Sequence, residues 1–303
     1  MDGNNTLKGG MFILMAMGIL GFIDNFFGPI SEDGGLWQFH AVRTTMSILV
    51  FVVYARIKGV SLRPTRFLPV LGRSVILGIG MLIYFGCLGL LPIAQVAAGL
   101  FTSPIWVLIF SILFFGVRVG LWRFLAMIAG FVGVLLILRP DPSALSFLTI
   151  APIFAGAFWG LGMLTTRAWC EAENSLTLTL VSFLVLGGAG VIGVTVFTLW
   201  PVGEGDPGFL LRGWQPLTPR FLFWCAVQAV GSVIAVDLLA RGYQQGEASF
   251  VTVFEYSFLI FAAGWSFILW GQGVDLQGAV GIAVIIASGA VLALRGRADE
   301  AAV

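Results

Sequence analysis

Four ionisable side chains, Asp24, Arg43, Asp237 and Glu255, stand inside stretches that are otherwise apolar. A charge at the centre of a membrane-spanning helix costs about 2.5–3.5 kcal/mol on the insertion scale, so each needs a hydrated cavity or a partner. Glu255 is the deepest. On a helix Thr252, Glu255, Tyr256 and Leu259 share one face, and Ser249 extends its polar edge. Such a stripe lines a hydrated path, because lipid cannot satisfy it; the alternative is an interhelical lock to Gln95, Tyr84 or Gln228. Asp24, in "GFIDNFFGPI" beside Asn25, can hold a substrate amino group or take up a proton, or it can pair with Arg43 on the next helix.

Arg43 and His40 lie one helical turn apart and share a face, where a guanidinium can fork a substrate carboxylate. Asp237 and Arg241 are spaced for an ion pair at one helix end, either a plain surface pair or an inner gate. Pro104 removes a helix hydrogen bond and kinks its helix, with Trp106 just beyond. Trp159, Met163 and Tyr84 can cage an apolar side chain, although with 14% aromatic residues many such side chains simply pack.

The surrounding composition fixes the medium. Of 303 residues 59% are hydrophobic and only 10% charged, the formal net charge is +1 and mean hydropathy is +1.01. A soluble domain averages about 25% charged residues, so a soluble enzyme is excluded. Without a basic cluster, nucleic acid is not a partner. Cys87, Cys170 and Cys225 are scattered and read as small hydrophobes, and neither they nor the single His40 has metal-ligand spacing. The glycine runs at 156–162 and 187–190 sit in apolar helices with no following Lys-Ser/Thr, so they serve packing rather than phosphate binding. No cofactor, metal or catalytic residue is expected, and the chain does not read as an enzyme.

The fold class is all-α integral membrane. Glycine, proline and charge divide the chain into ten apolar windows of about 20 residues, near 9–29, 36–56, 69–89, 92–116, 121–139, 146–167, 176–200, 220–241, 248–270 and 276–295. With the amino terminus cytoplasmic, twelve Lys and Arg fall on the inner side and three on the outer, which predicts both termini cytoplasmic in a bacterial inner membrane. Leu121–Arg139 resembles Leu276–Arg295 at a separation of about 155 residues. Two five-helix repeats, residues 1–140 and 141–303, would then be inverted relative to one another, an arrangement typical of secondary transporters.

The segments "AAGLFTSPIWVLIFSILFFG" and "LWRFLAMIAGFVGVLLILRP", with the counterparts "SFVTVFEYSFLIFAAGWSFILWGQ" and "LQGAVGIAVIIASGAVLALRG", resemble the drug/metabolite transporter superfamily and its EamA-like ten-helix carriers. The chain departs from the family's Gly-Glu pairs at Gly116-Val117 and Gly271-Gln272, and has Glu255-Tyr256 where Glu-Pro is usual. The likeness extends to YddG-type aromatic-amino-acid exporters. It implies a central cavity built from spans one, three, four, six, eight and nine, with the second span, and so Arg43, outside it. Expected is an alternating-access exporter of amino acids, including aromatic ones, or related metabolites. The alternative is an importer of a vitamin or nucleoside-type cofactor. Cavity residues are then Asp24, Asn25, Tyr84, Trp106, Trp159, Glu255 and Tyr256, with Asp24, Glu255, Asp237 and Arg241 as coupling or gating candidates. The partners are a small-molecule substrate and lipid, and a monomer is expected, with a homodimer as the alternative.

Overall fold

The computed structural model describes residues 3–88, 91, 93–140, 147–203, 208–271 and 273–301, and among these every regular element is helical. Ten rods succeed one another. They are α1 (Gly3–Asp24), α2 (Leu36–Lys58), α3 (Phe67–Leu88), α4 (Ile93–Leu100 and Ser103–Phe115), α5 (Leu121–Leu138), α6 (Ala151–Cys170), α7 (Ser175–Leu199), α8 (Pro219–Gln245), α9 (Ala248–Val251, a 3-10 stretch Thr252–Tyr256, and Ser257–Trp270) and α10 (Leu276–Ala301). Eight of them contain a stretch long and apolar enough to cross a membrane, so this is a multi-pass membrane protein. The other two are α6, which carries Thr165, Thr166 and Arg167, and α10, whose apolar part is Leu276–Leu292.

The first rod stops earlier than its hydropathy suggests. Asn25 turns its side-chain amide back onto the Gly21 carbonyl at 2.7 Å, and Pro29 falls in the first turn of a separate short helix, Phe27–Asp33. The repeat boundary at 140/141, most of the connection at 89–92, Gln272 and the side chain of Gln95 lie outside the described residues.

Helices α4 and α9 are both interrupted mid-course. In α4 the break falls at Phe101 and Thr102, where the Thr102 hydroxyl donates to the Gly99 carbonyl at 2.6 Å and Pro104 opens the second segment. In α9 the interruption is the 3-10 stretch that contains Glu255. Each rod ends in a left-handed glycine, Gly116 (φ 61°) and Gly271 (φ 66°), whose N–H closes the last turn. Only glycine adopts that backbone without strain.

The packing repeats itself. Helix α1 lies on α8 and α3 on α6; α4 lies on α6 and α9 on α1; α2 pairs with α7 and α5 with α10. The set is unchanged when every helix is exchanged with the one five places along. At the α5–α10 crossing the backbones nearly touch: a Cβ built on Gly133 would lie 2.8 Å from the Gly281 carbonyl oxygen, and one on Gly281 would lie 2.8 Å from that of Gly133. Small residues permit this approach, and close packing then holds the pair in the absence of a hydrophobic drive between helices. Gly133→Leu is expected to cost about 1–3 kcal/mol by overpacking. A melting temperature in detergent equal to that of the wild type would contradict this.

Candidate functional site: a cavity between the two halves

A cavity with about 1100 Å³ of free space, counted out to its open mouth, lies at the centre of the bundle. Its wall is mainly apolar and aromatic, with Met17, Leu77, Met81, Phe85, Phe101 and Phe258 prominent. The polar groups are few: Asp24, Arg43, Tyr84, Ser103, Trp159, Ser182, Gln228, Ser232 and Glu255.

Glu255 is 4% exposed and forms the deep end. Its carboxylate accepts from Tyr243 Oη at 2.5 Å, Trp159 Nε1 at 3.2 Å and Ser103 Oγ at 3.3 Å. Three neutral donors from α8, α6 and α4 thus converge on one acid, which sits where α9 loosens into its 3-10 stretch. The Ser103 bond crosses between the two halves of the chain.

Toward the mouth Asp24, at the end of α1, is solvent-exposed. Gln228 on α8 donates to the neighbouring Ile23 carbonyl at 2.9 Å. Arg43 reaches the same space from α2, and Ser182, Phe183 and Leu186 reach it from α7. The cavity therefore has contributions from helices beyond the six implied by resemblance. Arg43 is 6% exposed, and its guanidinium lies over the rings of Phe39 at 4.8 Å and Phe183 at 5.0 Å. No sequence signal separated Arg43 from a helix–helix counter-ion, since its access depends on how α2 leans against α7.

Four of the predicted residues, Asp24, Tyr84, Trp159 and Glu255, share this wall. Three stand apart from it. Asn25 caps its own helix, and Trp106 stacks on Phe110 with centroids 5.6 Å apart. Tyr256 is fully buried against Gly130, where an added Cβ would meet its ring at 2.5 Å. Asp237 and Arg241 form the i, i+4 pair at 2.7 Å, and both engage Ser175, so they join α8 to α7.

At the end of the bundle where α1 begins and α10 stops, polar contacts join the two halves of the chain. Arg123, at the start of α5, is salt-bridged to Glu247 between α8 and α9, and it also donates to Ser249 at 3.2 Å. Glu173, between α6 and α7, accepts from the backbone N–H groups of Thr65 and Arg66 at 2.9 and 2.6 Å. Both contacts tie one half of the chain to the other. Beneath the cavity Ile13, Met163, Leu239 and Tyr243 are fully buried.

At the opposite end, outside the spans, Asp33 accepts from Thr218 and Arg220, and those bonds, Arg220's first, hold its carboxyl down at about 2. Arg212 donates to the carbonyls of Ser31, Glu32 and Gly34. These contacts fasten the α1–α2 hairpin to the start of α8. Asp24, the exposed member of the cavity wall, lies toward this end.

Comparison with known proteins finds a family match over part of the chain. Residues 7–139 match the EamA-like transporter family. A riboflavin transporter of Rhizobium johnstonii is 29% identical over 61% of this chain, which spans 56% of that relative's length. A riboflavin transporter of Vibrio cholerae is 27% identical over 82% of this chain and 79% of its own. A pseudopaline exporter of Pseudomonas aeruginosa is 23% identical over 81% of this chain and 82% of its own. A solved crystal structure with 17% identity superposes with a TM-score of 0.75 over 99% of this chain and 100% of that one, which establishes the shared fold. Residues 7–139 of this multi-pass membrane protein are thus similar to the EamA-like transporter family, and the full-length likenesses are to proteins named as transporters.

Proposed function

We propose that this transporter exports amino acids, aromatic ones included, or related small metabolites, by alternating access across a bacterial inner membrane. One observation carries the reading: a single cavity sets two carboxylates, Asp24 and Glu255, and the Arg43 guanidinium among aromatic walls. That composition suits a small molecule with a charged head group and an apolar or aromatic body. Ten crossings in two inverted repeats, residues 1–140 and 141–303, would place both termini in the cytoplasm, in keeping with the twelve inner and three outer basic residues. The repeated packing pattern supports the same division, and rocking of one repeat against the other would expose the cavity alternately. Either Glu255 or Asp24 would carry a coupling proton, or the cargo would follow its own gradient.

A second reading, import of a vitamin or nucleoside-type cofactor, is favoured by the two relatives named as riboflavin transporters. Purified protein in liposomes, offered labelled amino acids and riboflavin with and without an imposed pH gradient, separates the two. Saturable uptake of aromatic amino acids is expected. Saturable riboflavin uptake with none of any amino acid would replace the first reading with the second.

A further inference from the structure

Among the described residues three arginines are buried, and they are placed very differently. Arg123 is salt-bridged to Glu247. Arg73 on α3 is fully buried and donates to Thr166 Oγ1 at 2.8 Å, Ser182 Oγ at 2.7 Å and the Leu178 carbonyl at 3.2 Å. It holds α3 to α6 and α7, and it does not line the cavity. Arg43 does line it. Among the described residues its guanidinium has one polar contact, Nη2 to His40 Nδ1 at 3.3 Å, its Nε has no acceptor, and no carboxylate lies at salt-bridge distance. Asp24 faces the same cavity without reaching it.

A buried cation with no carboxylate in direct contact costs several kcal/mol, so this one is held in place by the surrounding fold, with Asp24 acting on it only across the cavity. The Phe39 and Phe183 rings flank the guanidinium and fix its plane. His40 is in turn set edge-on against Phe85, with centroids 5.1 Å apart. A planar, oriented guanidinium with unused donors is built to take two oxygens at once.

We propose that Arg43 is the anion anchor of the cavity and binds the carboxylate of the cargo, with Asp24 across the gap taking a cationic group. The recognised class is then a zwitterion with an apolar or aromatic body. The anchor rests on the reading of the cavity as the cargo site, and it deepens that reading by assigning the carboxylate a partner. The anion fills the missing counter-charge, and its departure restores the cost, which keeps binding reversible.

Two ligand pairs test this on the full-length protein in nanodiscs: phenylalanine against phenylalaninamide, and phenylacetate against phenylacetamide. In wild type the carboxylate of each pair is expected to bind at least tenfold more tightly than its amide. In Arg43→Gln the preference should fall to within about twofold, through weaker carboxylate binding, with the affinity of the neutral phenylacetamide changing least. Arg43→Lys keeps the charge but not the fork, and should weaken carboxylate binding several-fold; it decides the matter if the Gln variant does not fold. An undiminished carboxylate preference in both variants, or no carboxylate binding in wild type, overturns the anchor. If amino acids are transported while Arg43→Gln keeps the preference, the anchor falls and the amino-acid reading stands. If the phenylacetate pair depends on Arg43 while no amino acid is transported, the anchor stands and the amino-acid reading falls.

Discussion

Replacing Glu255 by leucine is expected to abolish transport and lower stability, whereas replacing it by glutamine should leave the fold intact and still impair transport. The difference lies in its three donors. Leucine would strand the Tyr243 hydroxyl, the Trp159 N–H and the Ser103 hydroxyl in a buried site, at about 1–3 kcal/mol for each unsatisfied group. Glutamine can keep its carbonyl toward Trp159 and Ser103 while its amide faces Tyr243, whose hydroxyl turns to accept. What glutamine loses is charge. Hydrogen bonds to a charged group are worth about 1.5–3 kcal/mol against roughly 1 for neutral ones, so transport is expected to fall about tenfold. Any response of uptake to an imposed pH gradient should vanish with it. Uptake by Glu255→Gln that keeps its full rate and full pH response would remove Glu255 from both cargo binding and proton coupling.

Glu247→Ala is expected to open the terminal end of the bundle. Arg123 is almost fully buried, and Glu247 is the acid that joins it to the other half of the chain. Removing Glu247 takes one charged partner from a buried guanidinium. The loss weakens the arrangement that holds the contact and so shifts the balance between the two access states toward the other. A thiol-reactive probe confined to the terminal side should then label a cysteine introduced at Met81 on the cavity wall, which it cannot reach when Glu247 is present. Exchanging the two residues, Arg123→Glu with Glu247→Arg, should restore protection. Equal labelling of wild type and Glu247→Ala would mean that the pair fastens a loop and plays no part in gating.

Much of the fold was legible because lipid demands it: long apolar runs, punctuated by Gly and Pro, mark rods whose backbone must satisfy itself. The limits of α2, α3, α5 and α7 fall within about two residues of the hydropathy windows. The end of α1 was not legible, since Asn25 breaks it through one side-chain bond inside an apolar run. The break in α4 was readable from Pro104, but the 3-10 stretch in α9 carries no proline to announce it.

The site divides in the same way. Asp24, Tyr84, Trp159 and Glu255 stood out as polar or amphipathic groups at membrane depth, and they share the cavity wall. Tyr256 follows Glu255 directly, yet the 3-10 geometry turns it into the Gly130 cleft. Arg43 and the Arg123–Glu247 pair depended on distant packing, between α2 and α7 and between α5 and the α8–α9 connection, which no local pattern encodes.

The central claim is that cargo binds in the cavity and reaches it from the end opposite the termini. Its most direct test is a single cysteine at Met81, on the cavity wall, in a chain whose Cys87, Cys170 and Cys225 are replaced. A membrane-impermeant thiol reagent applied to each side in turn, with and without a transported amino acid, reads access and occupancy together. Labelling from the side opposite the termini, slowed several-fold by saturating cargo, is the expected result. Labelling that no transported compound slows, or that occurs only from the terminal side, would contradict it.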